Sequence, residues 1–239
     1  MLTTWLGRIE ERLRQALPGY CAFCQSNPAS EKGWCDECQT LLPHNPGACP
    51  MCAEPRSQSP TDSVERLCGH CLIEPPAMAR TTADFLYTDP VKTLVRDFKY
   101  HASTRAGVLL VELMLTSPPD TTDAALMGVP MHPAKARERG FNQADWLARQ
   151  LARRLGLASL EGRCVKRLPA QHTLNRRARL ENLRGAFIVP QCLPERLIIV
   201  DDVVTTGATG HELARQALKA GARRVELWAP ARTPRGRDW

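Results

Sequence analysis

Two stretches of this 239-residue chain carry residues whose types and spacing can do chemistry. The first is residues 197–209, Leu-Ile-Ile-Val-Asp-Asp-Val-Val-Thr-Thr-Gly-Ala-Thr. Four apolar residues suited to a buried parallel strand run into two adjacent carboxylates, Asp201 and Asp202. A turn of small hydroxyl residues and Gly207 follows, and then a helix expected over His211–Lys219. A strand that ends at a loop–helix junction aims backbone N–H groups at whatever lies there, and the helix dipole favours an anion. Thr205, Thr206 and Thr209 add hydroxyl donors, and Gly207 lets the backbone approach closely. These features make a phosphate cradle. Carboxylates cannot bind that phosphate, but they accept hydrogen bonds from vicinal hydroxyls or hold a hard cation such as Mg2+. A phosphate and a diol on one small molecule mean a sugar phosphate.

The second stretch holds eight of the ten cysteines, in four Cys-x-x-Cys pairs: Cys21/Cys24, Cys35/Cys38, Cys49/Cys52 and Cys68/Cys71. The gaps between successive pairs are ten, ten and fifteen residues. Two thiolates three residues apart on a tight turn fit two corners of a tetrahedron around Zn2+, so four pairs supply two complete four-thiolate sites. A redox Cys-x-x-Cys normally occurs once at a strand–helix junction, and a disulfide framework needs an oxidising compartment that nothing in the chain indicates. Two groupings are open, sequential (first with second, third with fourth) or interleaved as a cross-brace; the short gaps favour the sequential one. His44 and His70 are spare donors beside eight thiolates, and the isolated Cys164 and Cys192 read as ordinary small packing residues.

The elements that must position these residues follow from periodicity. Trp5, Leu6, Ile9, Leu13 and Leu17 stand at helical spacing, and the charges among them break any signal-peptide core. Residues 1–18 are therefore expected as an amphipathic helix, 19–75 as the eight-cysteine module, and 76–239 as an α/β domain entered after Pro75-Pro76. In the last region strands are expected at Thr81–Tyr87, Ala125–Met131, Ala186–Val189, Leu197–Val200 and Val225–Ala229. Helices are expected at Val91–Tyr100, Thr104–Leu115 and Gln143–Leu155, and residues 230–239 as a flexible tail. Alternating strands and helices at this spacing argue for a doubly wound, mostly parallel sheet, whose ligands lie beyond the carboxyl ends of the strands.

No apolar run is long enough to span a membrane, and the expected compartment is the cytoplasm. The formal charge is +7, which two Zn2+ and eight thiolates would reduce to +3. Its distribution says more. Residues 135–184 hold thirteen Lys and Arg against four Asp and Glu, a local net of +9 suited to a diphosphate or to nucleic acid.

Residues 197–209 resemble the ribose-phosphate loop of type I phosphoribosyltransferases, which bind phosphoribosyl pyrophosphate (PRPP). Three further segments narrow the resemblance: Val129-Pro-Met-His-Pro with Arg139-Gly-Phe-Asn-Gln143; Gln171-x-x-Leu174 with Arg177, Arg179, Asn182 and Ala186-Phe187; and Asp97-Phe-Lys-Tyr100. With the four cysteine pairs, the whole chain is similar to the ComF/GntX family, bacterial proteins linked to natural competence and to the use of external DNA as a nutrient. Ala170 departs from the pattern, since relatives often place Thr there.

The resemblance implies a type I phosphoribosyltransferase-like fold behind a double zinc module, with roles for named residues. Asp201 and Asp202 would contact the ribose diol, directly or through the Mg2+ that accompanies PRPP. Thr205, Thr206, Gly207, Ala208 and Thr209 would hold the 5′-phosphate. Arg137, Arg139 and Lys99 would face the pyrophosphate, and the segment around Arg176, Arg177 and Arg179 would close over the site. His132 is a loop residue between prolines, open to an acid–base or a structural role. The implied activity is phosphoribosyl transfer to an acceptor; the alternative is a non-catalytic protein that handles single-stranded DNA or docks a helicase-like partner of the uptake machinery.

Overall fold

The structure, a computed structural model, describes residues 19–56, 66–167 and 182–234. It divides into two compact units, residues 1–43 and 44–239. The composition break at Pro75-Pro76 is not that division: the third and fourth cysteine pairs share a unit with the sheet. The helix expected over residues 1–18 and the segment holding Ala170, Gln171, Leu174, Arg176, Arg177 and Arg179 lie outside the described residues.

The smaller unit is built from turns. Tyr20 bridges to Pro28, the Cys21 amide donates to the Asn27 carbonyl, and a short helix α1 spans Asp36–Thr40. Trp34 is fully buried and meets Phe23 with ring centroids 6.0 Å apart. So small an apolar set needs another source of stability, which metal-binding side chains can supply.

The larger unit begins with the remaining cysteines and a short helix α2, Gly69–Ile73. Then come β1 Arg80–Thr82, β2 Phe85–Leu86, α3 Val91–Tyr100, α4 Thr104–Leu115 and β3 Ala124–Gly128. They are followed by α5 Pro133–Arg139, α6 Gln143–Leu155, β4 Ala158–Leu160, β5 Arg163–Cys164 and β6 Phe187–Ile188. The chain closes with β7 Arg196–Val200, α7 Ala208–Lys219, β8 Arg224–Trp228 and β9 Ala231–Arg232. Five strands form one all-parallel sheet in the order β1-β8-β7-β3-β4. The central strands are buried along almost their whole length, as parallel strands covered on both faces must be. On one face Leu197, Ile199, Val225 and Leu227 pack with Leu213, Ala214 and Ala217 of α7.

The helices follow their apolar spacing. Val91, Val95 and Phe98 give α3 its buried stripe, and Ser103 caps α4 by accepting from the Ala106 amide at 3.2 Å. Asn142 caps α6 through the Ala144 and Asp145 amides, and Gly156, left-handed at φ 67°, ends it. Gly128 admits that helix: a Cβ there would stand 2.4 Å from the Asp145 Cα.

Three sequence expectations are corrected. The strand expected over Thr81–Tyr87 is two strands with different partners, β1 on β8 and β2 on β9. The break falls at Ala83-Asp84, whose carbonyls accept from Asn45 instead of from a ladder. The strand at Ala186–Val189 shortens to β6, which pairs antiparallel with β5 outside the main sheet. Pro230–Arg232 is not tail: Ala231 and Arg232 are fully buried in β9. Among the described residues, no helix is long and apolar enough to cross a membrane.

Candidate functional site

Strand β7 delivers Asp201 and Asp202 to the carboxyl edge of the sheet, between β8 and β3. The Asp201 amide bonds the Trp228 carbonyl at 3.0 Å, so the chain is still in register with β8 where the carboxylates begin. The Asp202 amide folds back onto the Asp201 Oδ1 at 2.8 Å. Burial of the carboxyl, then the neighbouring Asp202 charge, push Asp201 up to about 7.

Lys99, on the last turn of α3, sets its Nζ 3.0 Å from Asp202 Oδ1, with both side chains mostly buried. Burial by itself would depress this ammonium; the charges of Asp202 and Asp201 outweigh it and hold the Lys99 pKa up. Burial pushes the Tyr87 phenol up as well, close enough to feel both Lys99 and Asp202. Gln143, fully buried, links Lys99 to Arg139: its Nε2 donates to the Lys99 carbonyl, and its Oε1 accepts from Arg139 Nη1, both at 3.5 Å. The Arg139 guanidinium lies 5.7 Å from the centre of the Tyr100 ring. Arg137 is exposed on the same helix, α5. His132 caps α5, its Nδ1 accepting from the Ala134 amide at 3.2 Å, which is the structural one of its two roles.

The turn after the acidic pair has the conformation a cradle needs. Val203 and Val204 are buried, Thr205 is exposed, and Gly207 sits at φ 74° as the N-cap of α7. The Thr206 Oγ1 accepts from the Ala208 amide at 3.3 Å. A helix cannot satisfy the amides of its own first turn, so this end of α7 offers donors to an anion. Thr209 stands in that first turn, half-buried.

The cysteines gather in two tetrads, Cys21/Cys24/Cys35/Cys38 and Cys49/Cys52/Cys68/Cys71, with all sulfurs of a tetrad within 4.8 Å of one another. The grouping is sequential. Sulfurs at ~2.3 Å from a tetrahedral zinc stand about 3.8 Å apart. Here Cys24 and Cys35 are 3.9 Å apart and Cys52 and Cys68 are 3.6 Å apart. Backbone amides point at the sulfurs, Phe23 at Cys21 (3.4 Å) and Cys68 at Cys49 (3.3 Å). Burial opposes ionisation of Cys21 and Cys49, but such amides outweigh it and lower the two thiols to about 6 and about 7. Burial pushes Cys52 up to about 11 and Cys71 higher still. Four crowded thiols that cannot ionise together suit a central dication, and each tetrad fits one Zn2+.

Residues 13–72 match the family described as a double zinc ribbon domain. The "DNA utilization protein YhgH" of Salmonella typhimurium is 34% identical over 231 residues, covering 91% of this chain and 98% of the relative. The "Competence protein F" of Haemophilus influenzae is 28% identical, covering 89% and 96%. The chain belongs to the ComF family. A more distant member, the "Competence protein ComFC" of Bacillus subtilis, is 23% identical, covering 84% of this chain and 89% of its own.

Sequence reasoning misses the roles of two residues at this candidate site. Gln143 reads there as a helix start and as the end of the Arg139–Gln143 segment, without a role, yet it carries the link between Lys99 and Arg139. Arg232 falls in the expected tail, yet its guanidinium donates to the Thr205 carbonyl at the heart of the turn. A buried arginine next to a short β pairing leaves no periodic signal. Arg177 lies outside the described residues.

Proposed function

We propose that this ComF protein binds PRPP at the edge of β7 and serves the use of external DNA, with phosphoribosyl transfer as its reaction. The observation that carries the reading is the run from β7 through Asp201 and Asp202 into the Gly207-capped helix, with the Lys99 ammonium 3.0 Å from Asp202. In this reading the α7 N-terminus, with Thr205, Thr206 and Thr209, holds the 5′-phosphate, and the acidic pair accepts from the ribose hydroxyls. Mg2+ carried by PRPP would neutralise charge on the departing pyrophosphate, and adjacent carboxylates with oxygen donors suit it. Lys99 and Arg139 add cationic charge on the same side. Catalysis by positioning and charge stabilisation needs no side-chain nucleophile. The names of the relatives support the DNA-utilisation setting.

Isothermal titration of the full chain with PRPP and Mg2+ tests the site. Wild-type binding that disappears in an Asp201→Asn, Asp202→Asn double variant is the expected result, and no heat from the wild type sinks the proposal. Pyrophosphate release against a panel of bases, amines and DNA ends tests transfer. Binding without release on any acceptor would favour the second reading, a non-catalytic protein that handles single-stranded DNA, for which the +9 balance of residues 135–184 speaks.

A further inference from the structure

The fully buried guanidinium of Arg232 bonds in two directions. Nη1 donates to the Thr205 carbonyl of the phosphate turn, and Nη2 meets Glu54 Oε2 at 2.6 Å. The same strand brackets the turn by backbone: the Val204 amide donates to the Ala231 carbonyl and the Thr233 amide to the Val204 carbonyl, both at 2.9 Å. Glu54 in turn follows the second tetrad's Cys49–Cys52 pair, and its carbonyl accepts from the Cys49 amide at 2.9 Å, closing that knuckle.

The knuckle and the turn also meet around one small pocket, lined by Cys52, Cys71 and Met78 on one side and Thr206, Gly207 and His211 on the other. The His211 Nδ1 accepts from the Ala77 amide at 3.1 Å, tying the exit from the cysteine segment to the first turns of α7. A buried arginine is tolerated only when its arms are satisfied, and its planar fork holds two acceptors in a fixed geometry. One acceptor here is a carbonyl of the anion-binding turn and the other a carboxylate of the metal knuckle.

From this we infer that Glu54 and Arg232 are positioning residues that pass the order of the second zinc knuckle to the phosphate turn. The sugar-phosphate site is then complete only when the second tetrad is intact. The inference rests on the PRPP reading for its ligand, but its structural half stands on the turn alone. Neither residue touches the reacting atoms; both act through Thr205 and Val204.

The test uses the full chain and two mild variants, Glu54→Gln and Arg232→Lys. Zinc content, amide hydrogen exchange of residues 204–209, and the affinity for PRPP with Mg2+ are measured on each. Loss of a hydrogen bond to a buried charge predicts exchange at 204–209 faster by about tenfold or more, with PRPP weakened to a similar degree and zinc still at two per chain. Unchanged exchange in Glu54→Gln overturns the inference even if Arg232→Lys does not fold. Loss of zinc from Glu54→Gln also overturns it, since Glu54 would then act on the tetrad itself. If the wild type binds no PRPP, the function proposed above fails while the exchange comparison still decides the coupling.

Discussion

Cys21, Cys24, Cys35 and Cys38 gather in a small unit with Trp34 and Leu42 as its buried apolar side chains. Cys49, Cys52, Cys68 and Cys71 repeat the same pairs, but inside the unit that carries the sheet. Their knuckle lies along the sheet edge: the Thr81 amide of β1 donates to the Pro50 carbonyl at 2.9 Å, and the Thr81 Oγ1 to the Met51 carbonyl at 2.8 Å. An edge strand left open invites foreign pairing, and here the metal knuckle covers it. Asn45 reinforces the join, its Nδ2 donating to the Ala53 and Ala83 carbonyls at 2.9 and 3.2 Å. The same local code therefore serves two ends. In the first tetrad it organises a small unit; in the second it finishes a sheet and, in the inference above, supports the turn after Asp202.

The sharpest way to break this comparison is to remove one ligand from each tetrad. Cys52→Ser should cost one zinc, lower the melting temperature of the sheet unit by about 10 °C or more, and expose residues 204–209 to exchange. Cys24→Ser should also cost one zinc but leave exchange at 204–209 at the wild-type rate. Equal loosening of the turn by both variants would erase the distinction.

A gentler contrast pairs two asparagines. Asn45→Ala leaves two buried carbonyls without a donor and should destabilise by about 2 kcal/mol in urea unfolding. Asn27 is half-buried, its Nδ2 bonding Glu37 Oε2 at 2.9 Å and the Cys35 sulfur at 3.8 Å, and should cost less as alanine, about 1 kcal/mol. The reverse ranking would contradict the picture of an embedded second knuckle.

The pH dependence of the turn comes next. Asp201 is held up to about 7, so below that pH the free site holds a protonated carboxyl, whereas in the proposed PRPP site the diol and Mg2+ need the carboxylate. Protons thus compete with ligand: affinity for PRPP with Mg2+ should rise as pH climbs through about 7 and level off above it. Below that point it should fall by about tenfold per pH unit, and Asp202→Asn should move the midpoint down by removing a neighbouring negative charge. A midpoint that ignores Asp202→Asn would assign the titration to another group, such as the ligand phosphate. Thr81→Val removes one hydrogen bond to the knuckle and should cost about 1 kcal/mol with zinc unchanged, as chemical unfolding and metal analysis can check.

Much of this molecule is legible in its residues. Helices Val91–Tyr100, Thr104–Leu115 and Gln143–Leu155 have the bounds their apolar spacing predicts, because each face is buried continuously. Helix α5 escapes the sequence reading although Pro133 at its first position is a start signal; the prolines around His132 read as loop. The break between β1 and β2 escapes it too, because its cause, Asn45, lies 38 residues away from Ala83.

The residues alone decided what chain geometry enforces over three or four positions. Cys-x-x-Cys must present two sulfurs together, and an apolar strand entering Asp-Asp and a glycine turn must place carboxylates beside helix amides. Which cysteine pairs share a metal, and that Lys99 should face Asp202, depended on the tertiary fold. So did the meeting of Arg232 with Glu54, 178 residues apart. Contacts at such separations leave no local pattern, because they exist only once the sheet order has brought β9 back alongside β2 and the second knuckle.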